Sequence, residues 1–238
     1  MKRLLLLLVS VLPCVVCGLA LGGCADGGVG GTGISGSATV QGNIQDIVVS
    51  GSAAEADDGL GAGFGGVWVS VQGTEVSDVT ASDGSFVLIG PIAGDRVIEF
   101  QDSGSQQPST LNVTVLNGAV TTLKDVRIFK NRLSVSVDEV RVNGVELKLD
   151  ADAECGAAGD GSFRAHLTNQ EGWSLTVVIE PDTVIQRVSS ASPTPIPLSC
   201  ADLTQGAEAN VRGVLAEPRE IRASAINRTK SGRLRPSP

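Results

Sequence analysis

Apolar and polar residues alternate along most of this chain, and no long segment carries the 3.6-residue spacing of a helix face. Val67-Trp68-Val69-Ser70-Val71 puts three valines on one side, with a tryptophan and a serine on the other. Thr110-Leu111-Asn112-Val113-Thr114-Val115 follows the same pattern less strictly. Short alternating runs broken by Gly, Asp-Gly and Asn-Gly predict antiparallel strands, each with one buried face.

Strands are expected at 67–71, 75–81, 86–89, 96–100 and 110–115, and a last one ends near Ile128. Asp83-Gly84 supplies the positive φ angles a tight hairpin wants, and Asn117-Gly118 links the final pair. A second set is expected at 135–142, 145–149, 163–167, 173–179, 183–188, 209–215 and 221–226. Within it Asn143-Gly144 reads as a hairpin turn and the proline-rich stretch 192–198 as a crossing. The expected fold is all-β: a sandwich over 37–128, a small barrel-like module over 131–229, and a flexible tail over 230–238.

The first residues break this pattern. Met1-Lys2-Arg3 precedes an almost wholly apolar run from Leu4, with small residues before Cys24, as in a secretory signal peptide over 1–23. The alternative is an uncleaved anchor, since residues 4–21 approach the ~20 apolar residues of a membrane span. Leu21-Gly22-Gly23-Cys24 resembles the bacterial lipobox, which implies a diacylglyceryl group on the Cys24 sulfur, cleavage before it, and acylation of the new amino group. One acyl chain holds a protein to a membrane only marginally, whereas several hold it durably. Residues 24–36 are dominated by Gly and cannot bury enough apolar area to order, so they read as a tether. Ala25, at the position after the cysteine, favours the outer membrane by resemblance to the sorting rule of enteric bacteria.

Charge narrows the partners. The chain has 18 basic and 26 acidic residues, a net charge of −8, which becomes −10 once Lys2 and Arg3 leave with the leader. An acidic surface argues against nucleic acid and against electrostatic adhesion to anionic lipid, so the lipid would have to anchor the chain. The remaining partners are an envelope protein or a glycan. Of five cysteines, Cys155 and Cys200 remain after leader removal and acylation. They are expected either to pair as a disulfide, stabilising by roughly 4 kcal/mol on the chain-entropy model, or to stay as two free thiols.

Two further resemblances follow from particular residues. Gly66-Val-Trp-Val-Ser-Val-Gln-Gly-Thr74, then Val79-Thr-Ala-Ser-Asp-Gly-Ser-Phe86, then Gly90-Pro-Ile-Ala-Gly94, resembles the carboxypeptidase regulatory-like domain. This implies a seven-stranded prealbumin-like sandwich over about 37–128 and no peptidase activity. The chain departs from that pattern at Ala81-Ser82 and by an Ala/Gly/Asp-rich insertion at 49–65. Asp202-Leu203, Gly206, Val211 and Gly213 resemble small OB-like barrel modules, of unknown function, found in bacterial exported proteins.

Candidate chemistry is sparse. His166 is the sole histidine and stands alone in an alternating strand, where nucleophilic catalysis needs a base oriented beside a nucleophile. No enzyme activity, cofactor or metal is expected. Asp150, Asp152, Glu154 and Asp160 are spaced like the start of a calcium loop, but Cys155 and Gly161 fill the positions needing Gly and Glu, so a solvated acidic loop is expected. Trp68 is the candidate ligand contact. The two-residue period turns it outward, to stack on a sugar, dock the second module or lie under the insertion. The reading is a lipid-anchored envelope protein with non-catalytic binding or structural modules, or alternatively a carbohydrate-binding surface lipoprotein.

Overall fold

The computed structural model describes residues 37–48, 64–169, 173–189 and 192–230. The leader, Cys24, the tether, residues 49–63 of the insertion and residues 231–238 lie outside these. The described chain is all-β apart from one 3-10 turn at Cys200–Asp202.

Among the described residues, eight strands build the sandwich: β1 (Ala38–Val48), β2 (Trp68–Val71), β3 (Ser77–Val79), β4 (Ser85–Gly90), β5 (Gly94–Gln101), β6 (Ser109–Val115), β7 (Val120–Phe129) and β8 (Ser134–Ser136). One layer runs β4-β1-β7 and the other β3-β2-β5-β6, with β8 bridging β7 and β6. The pairing is mixed rather than purely antiparallel, because β1 and β7 run parallel from Thr39↔Val120 to Val48↔Phe129. Period-two alternation sends Val69 and Val71 of β2 inward, with Phe86 and Leu88 of β4 and Ile98 and Phe100 of β5. Phe86 and Phe100 meet edge to face at 5.7 Å between the layers, an arrangement that suits the ring quadrupoles.

The second module contains β9 (Glu139–Leu149), β10 (Glu154–Cys155), β11 (Gly161–Leu167), β12 (Ser174–Ser189), β13 (Ser192–Pro197), β14 (Glu208–Glu217) and β15 (Glu220–Lys230). Five of them close on themselves in the order β9-β11-β12-β15-β14-β9. The β12–β15 pairing is parallel and the other four are antiparallel. Closure removes sheet edges and lets one layer of inward side chains fill the interior, among them Leu147, Phe163, Val177, Val211 and Ile221.

Three expected breaks are not breaks. Asn143-Gly144 lies inside β9, which continues through it. On β14, Val211 and Gly213 face Val145 and Val142, so β9 carries one extra residue, and Gly144 sits there at φ +81°. The pair therefore makes a bulge, which needs the same left-handed backbone a hairpin would. Residues 180–182 likewise do not end β12: Thr183 Oγ1 accepts from the Glu180 N–H at 2.8 Å and donates to the Ala223 carbonyl at 2.7 Å. That hydroxyl ties the strand together across Pro181. The proline-rich 192–198 stretch is a strand, β13, hairpinned onto β12. Leu198 N–H donates to the Ile185 carbonyl at 2.9 Å, so Pro197, one residue before it, faces its missing donor to the outer edge.

The modules are joined by more than a linker. Strand β9 pairs antiparallel with β7, from Val120↔Asn143 to Lys124↔Glu139, so one ladder crosses from sandwich to barrel. Leu116 and Ala119, flanking the Asn117-Gly118 turn of the sandwich, are 0% and 2% exposed and belong to the barrel's core. The sandwich turn thus plugs the barrel. Asn117 Nδ2 adds a donated bond to the Asn169 carbonyl at 3.5 Å.

Candidate functional site

Trp68 lies on the outer face of β2, 49% exposed, while Val67, Val69 and Val71 on either side of it are buried. Its cross-strand neighbours are Val79 and Gln101. Val79 is equally exposed, so the pair makes a small apolar spot on a polar sheet face. On that face Gln72 Nε2 donates to Glu99 Oε1 at 3.0 Å. The junction is built by β7, β9 and the Leu116 turn rather than by Trp68. In the barrel Trp173 is partly buried against the core, with the Arg219 guanidinium 5.0 Å from its ring centre.

Cys155 and Cys200 form a disulfide, which ties the short strand β10 to the 3-10 turn. The Ser199 N–H and hydroxyl both donate to Asp202 Oδ2 at 2.8 Å and hold its carboxyl below the ordinary value of 3.8. A lowered pKa stabilises the fold above the unfolded value and ceases to do so as pH falls through the folded one. Urea midpoints measured from about pH 5 to about pH 2 should therefore decline less steeply for Asp202→Ala than for the parent chain. An equal slope would mean that Asp202 does not contribute.

His166 is not alone. Its Nδ1 lies 2.5 Å from Asp150 Oδ1, to which it donates, and the Ser174 hydroxyl donates to Asp150 Oδ2 at 3.5 Å. The register pairing His166↔Ser174 brings these side chains together. A hydroxyl and an imidazole here share one carboxylate, whereas a nucleophile needs the imidazole facing the hydroxyl itself. The acidic loop spreads its groups over separate partners: Asp152 Oδ1 accepts from the Gln205 N–H at 2.9 Å, while Asp150 serves His166. Among the described residues no three His, Cys, Asp or Glu side chains form a group that could hold a metal ion. No helix among them is long and apolar enough to cross a membrane.

A cleft lies where the modules meet. Its volume is about 440 Å³, with walls from β5 and β6 on one side and the β14–β15 turn on the other. That turn is a two-residue hairpin, Pro218-Arg219, between the paired Glu217 and Glu220. Pro218 presets its own φ, and Arg219 follows at φ +77°, a position that normally takes Gly or Asn. Nothing local in an arginine signals that conformation, and the cleft itself needs two modules in register, so sequence patterning does not reveal either. No family model matches the chain, and no curated protein matches it.

Proposed function

We propose that this chain is a lipid-anchored cell-envelope protein whose β-modules bind or brace without catalysis. The observation that carries the reading is Cys24, placed after Leu21-Gly22-Gly23 between an apolar leader and a Gly-rich tether. The disulfide between Cys155 and Cys200 fits an oxidising compartment, as an exported chain would meet. The net charge of −8 leaves acyl chains rather than surface lysines to hold the membrane. By resemblance to the sorting rule of enteric bacteria, Ala25 favours the outer membrane. In cells fed a palmitate analogue, the wild-type chain should carry label and Cys24→Ala should carry none. An unlabelled wild type, or label persisting in the variant, rejects the anchor.

A second reading, carbohydrate binding, is favoured by Trp68, whose half-exposed ring sits among Ser70, Glu99 and Gln101. Sugars stack their apolar faces on such rings while hydroxyls bond to the flanking polar groups. On a polysaccharide affinity gel the wild type should be retarded and Trp68→Ala should not. Equal mobility of the two removes Trp68 as a contact.

A further inference from the structure

We propose that the cleft between the modules seats a lysine or arginine side chain presented by an extended peptide. The proposal rests on the cleft alone and stands whether or not Cys24 is acylated. Val97 and Val113 from the sandwich, and Leu215 and Pro218 from the barrel, give the cleft an apolar floor. Long cationic side chains lay their methylene stems on such floors and keep the charged head at a polar rim. Two carboxylates reach that rim from opposite modules, Asp95 on β5 and Glu217 at the end of β14.

The carboxylates are free to receive a cation. Asp95 Oδ1 accepts from the Thr114 hydroxyl at 2.8 Å, which orients the group, and Oδ2 has no partner among the described residues. Glu217 has no ion-pair partner among them either. The cation lining the cleft, Arg96, is turned to its own loop: Nε and Nη2 donate to the Ile92 and Ala93 carbonyls at 3.0 and 2.7 Å. With a net charge of −8 on the whole chain, long-range attraction acts in the same direction as these two groups.

The barrel wall is also held in place before any ligand arrives. Arg219 occupies a left-handed conformation that side chains disfavour, and such residues persist where their surroundings over-determine them. Here the surroundings are the Trp173 ring at 5.0 Å and the Thr176 N–H, which donates to the Arg219 carbonyl at 2.9 Å. A wall fixed beforehand saves the ordering cost of binding.

The test is fluorescence anisotropy with the purified full-length chain in detergent and a dye-labelled, end-capped peptide alternating valine and lysine. The same peptide with glutamine for lysine is the control. The lysine peptide should bind, more weakly at higher salt, and the glutamine peptide should not. Glu217→Gln and Asp95→Asn should each weaken binding by about fivefold, while Glu75→Gln, outside the cleft, should leave it unchanged. Both substitutions keep side-chain shape at the cleft rim, and asparagine retains an oxygen for the Thr114 hydroxyl, so matched unfolding midpoints will certify the fold. Failure of the wild type to bind, equal binding of the two peptides, indifference to both cleft substitutions, or binding of a neutral oligosaccharide in place of the peptide overturns the proposal.

Discussion

Leu116→Ala should unfold the barrel at lower temperature, although Leu116 lies between two strands of the sandwich. The side chain is 0% exposed and packs with the barrel core, so truncation leaves a cavity there. Buried Leu→Ala changes cost about 2–5 kcal/mol, and for a chain of this size each kcal/mol lowers the midpoint by roughly 2–4 °C. The two tryptophans provide one reporter in each module, Trp68 in the sandwich and Trp173 in the barrel. In a Trp68→Phe background, Trp173 emission should report a midpoint lowered by roughly 5–15 °C. An unchanged Trp173 midpoint would show that the barrel does not depend on its plug. By the same reasoning a fragment beginning at Asn131 lacks Leu116 and Ala119 and should be less stable than the barrel in the whole chain.

The disulfide is expected to have an effect of similar size. Cys155 and Cys200 are 45 residues apart, and closing a loop of that length removes chain entropy worth about 4 kcal/mol from the unfolded state. The double variant Cys155→Ala/Cys200→Ala should therefore melt roughly 8–16 °C below the parent. Reductant should shift the parent toward the variant and leave the variant where it is. Coincident curves for parent and variant would show that the crosslink is thermodynamically silent, with strain in the folded state cancelling the loop term.

What could be read from the residues was local. The side on which Trp68 emerges follows from the pleat, and the burial of Val67, Val69 and Val71 agrees with it. The all-β character follows from the same alternation. Asn143-Gly144 shows where such reading stops. A left-handed glycine serves a hairpin and a bulge equally, and the choice depends on β14, which faces β9 from some 70 positions away. Residues 180–182 separate two expected strands, yet Thr183 finds Ala223 and one strand goes on. Leu116 and Ala119 read as the flanks of a turn, because their burial requires the whole barrel to have closed beneath them. His166 acquires Asp150 in the same non-local way. The cleft belongs to this class too: its two carboxylates lie more than a hundred positions apart in the chain.

The three prolines of β13 have a bearing on how copies of this protein behave when concentrated. An open strand is a template on which another chain can continue a sheet, and that is the first step of fibril growth. Pro193, Pro195 and Pro197 have no backbone N–H to offer such an incoming strand. Copies crowded side by side therefore meet proline, which cannot continue the ladder from its nitrogen, at three positions of β13.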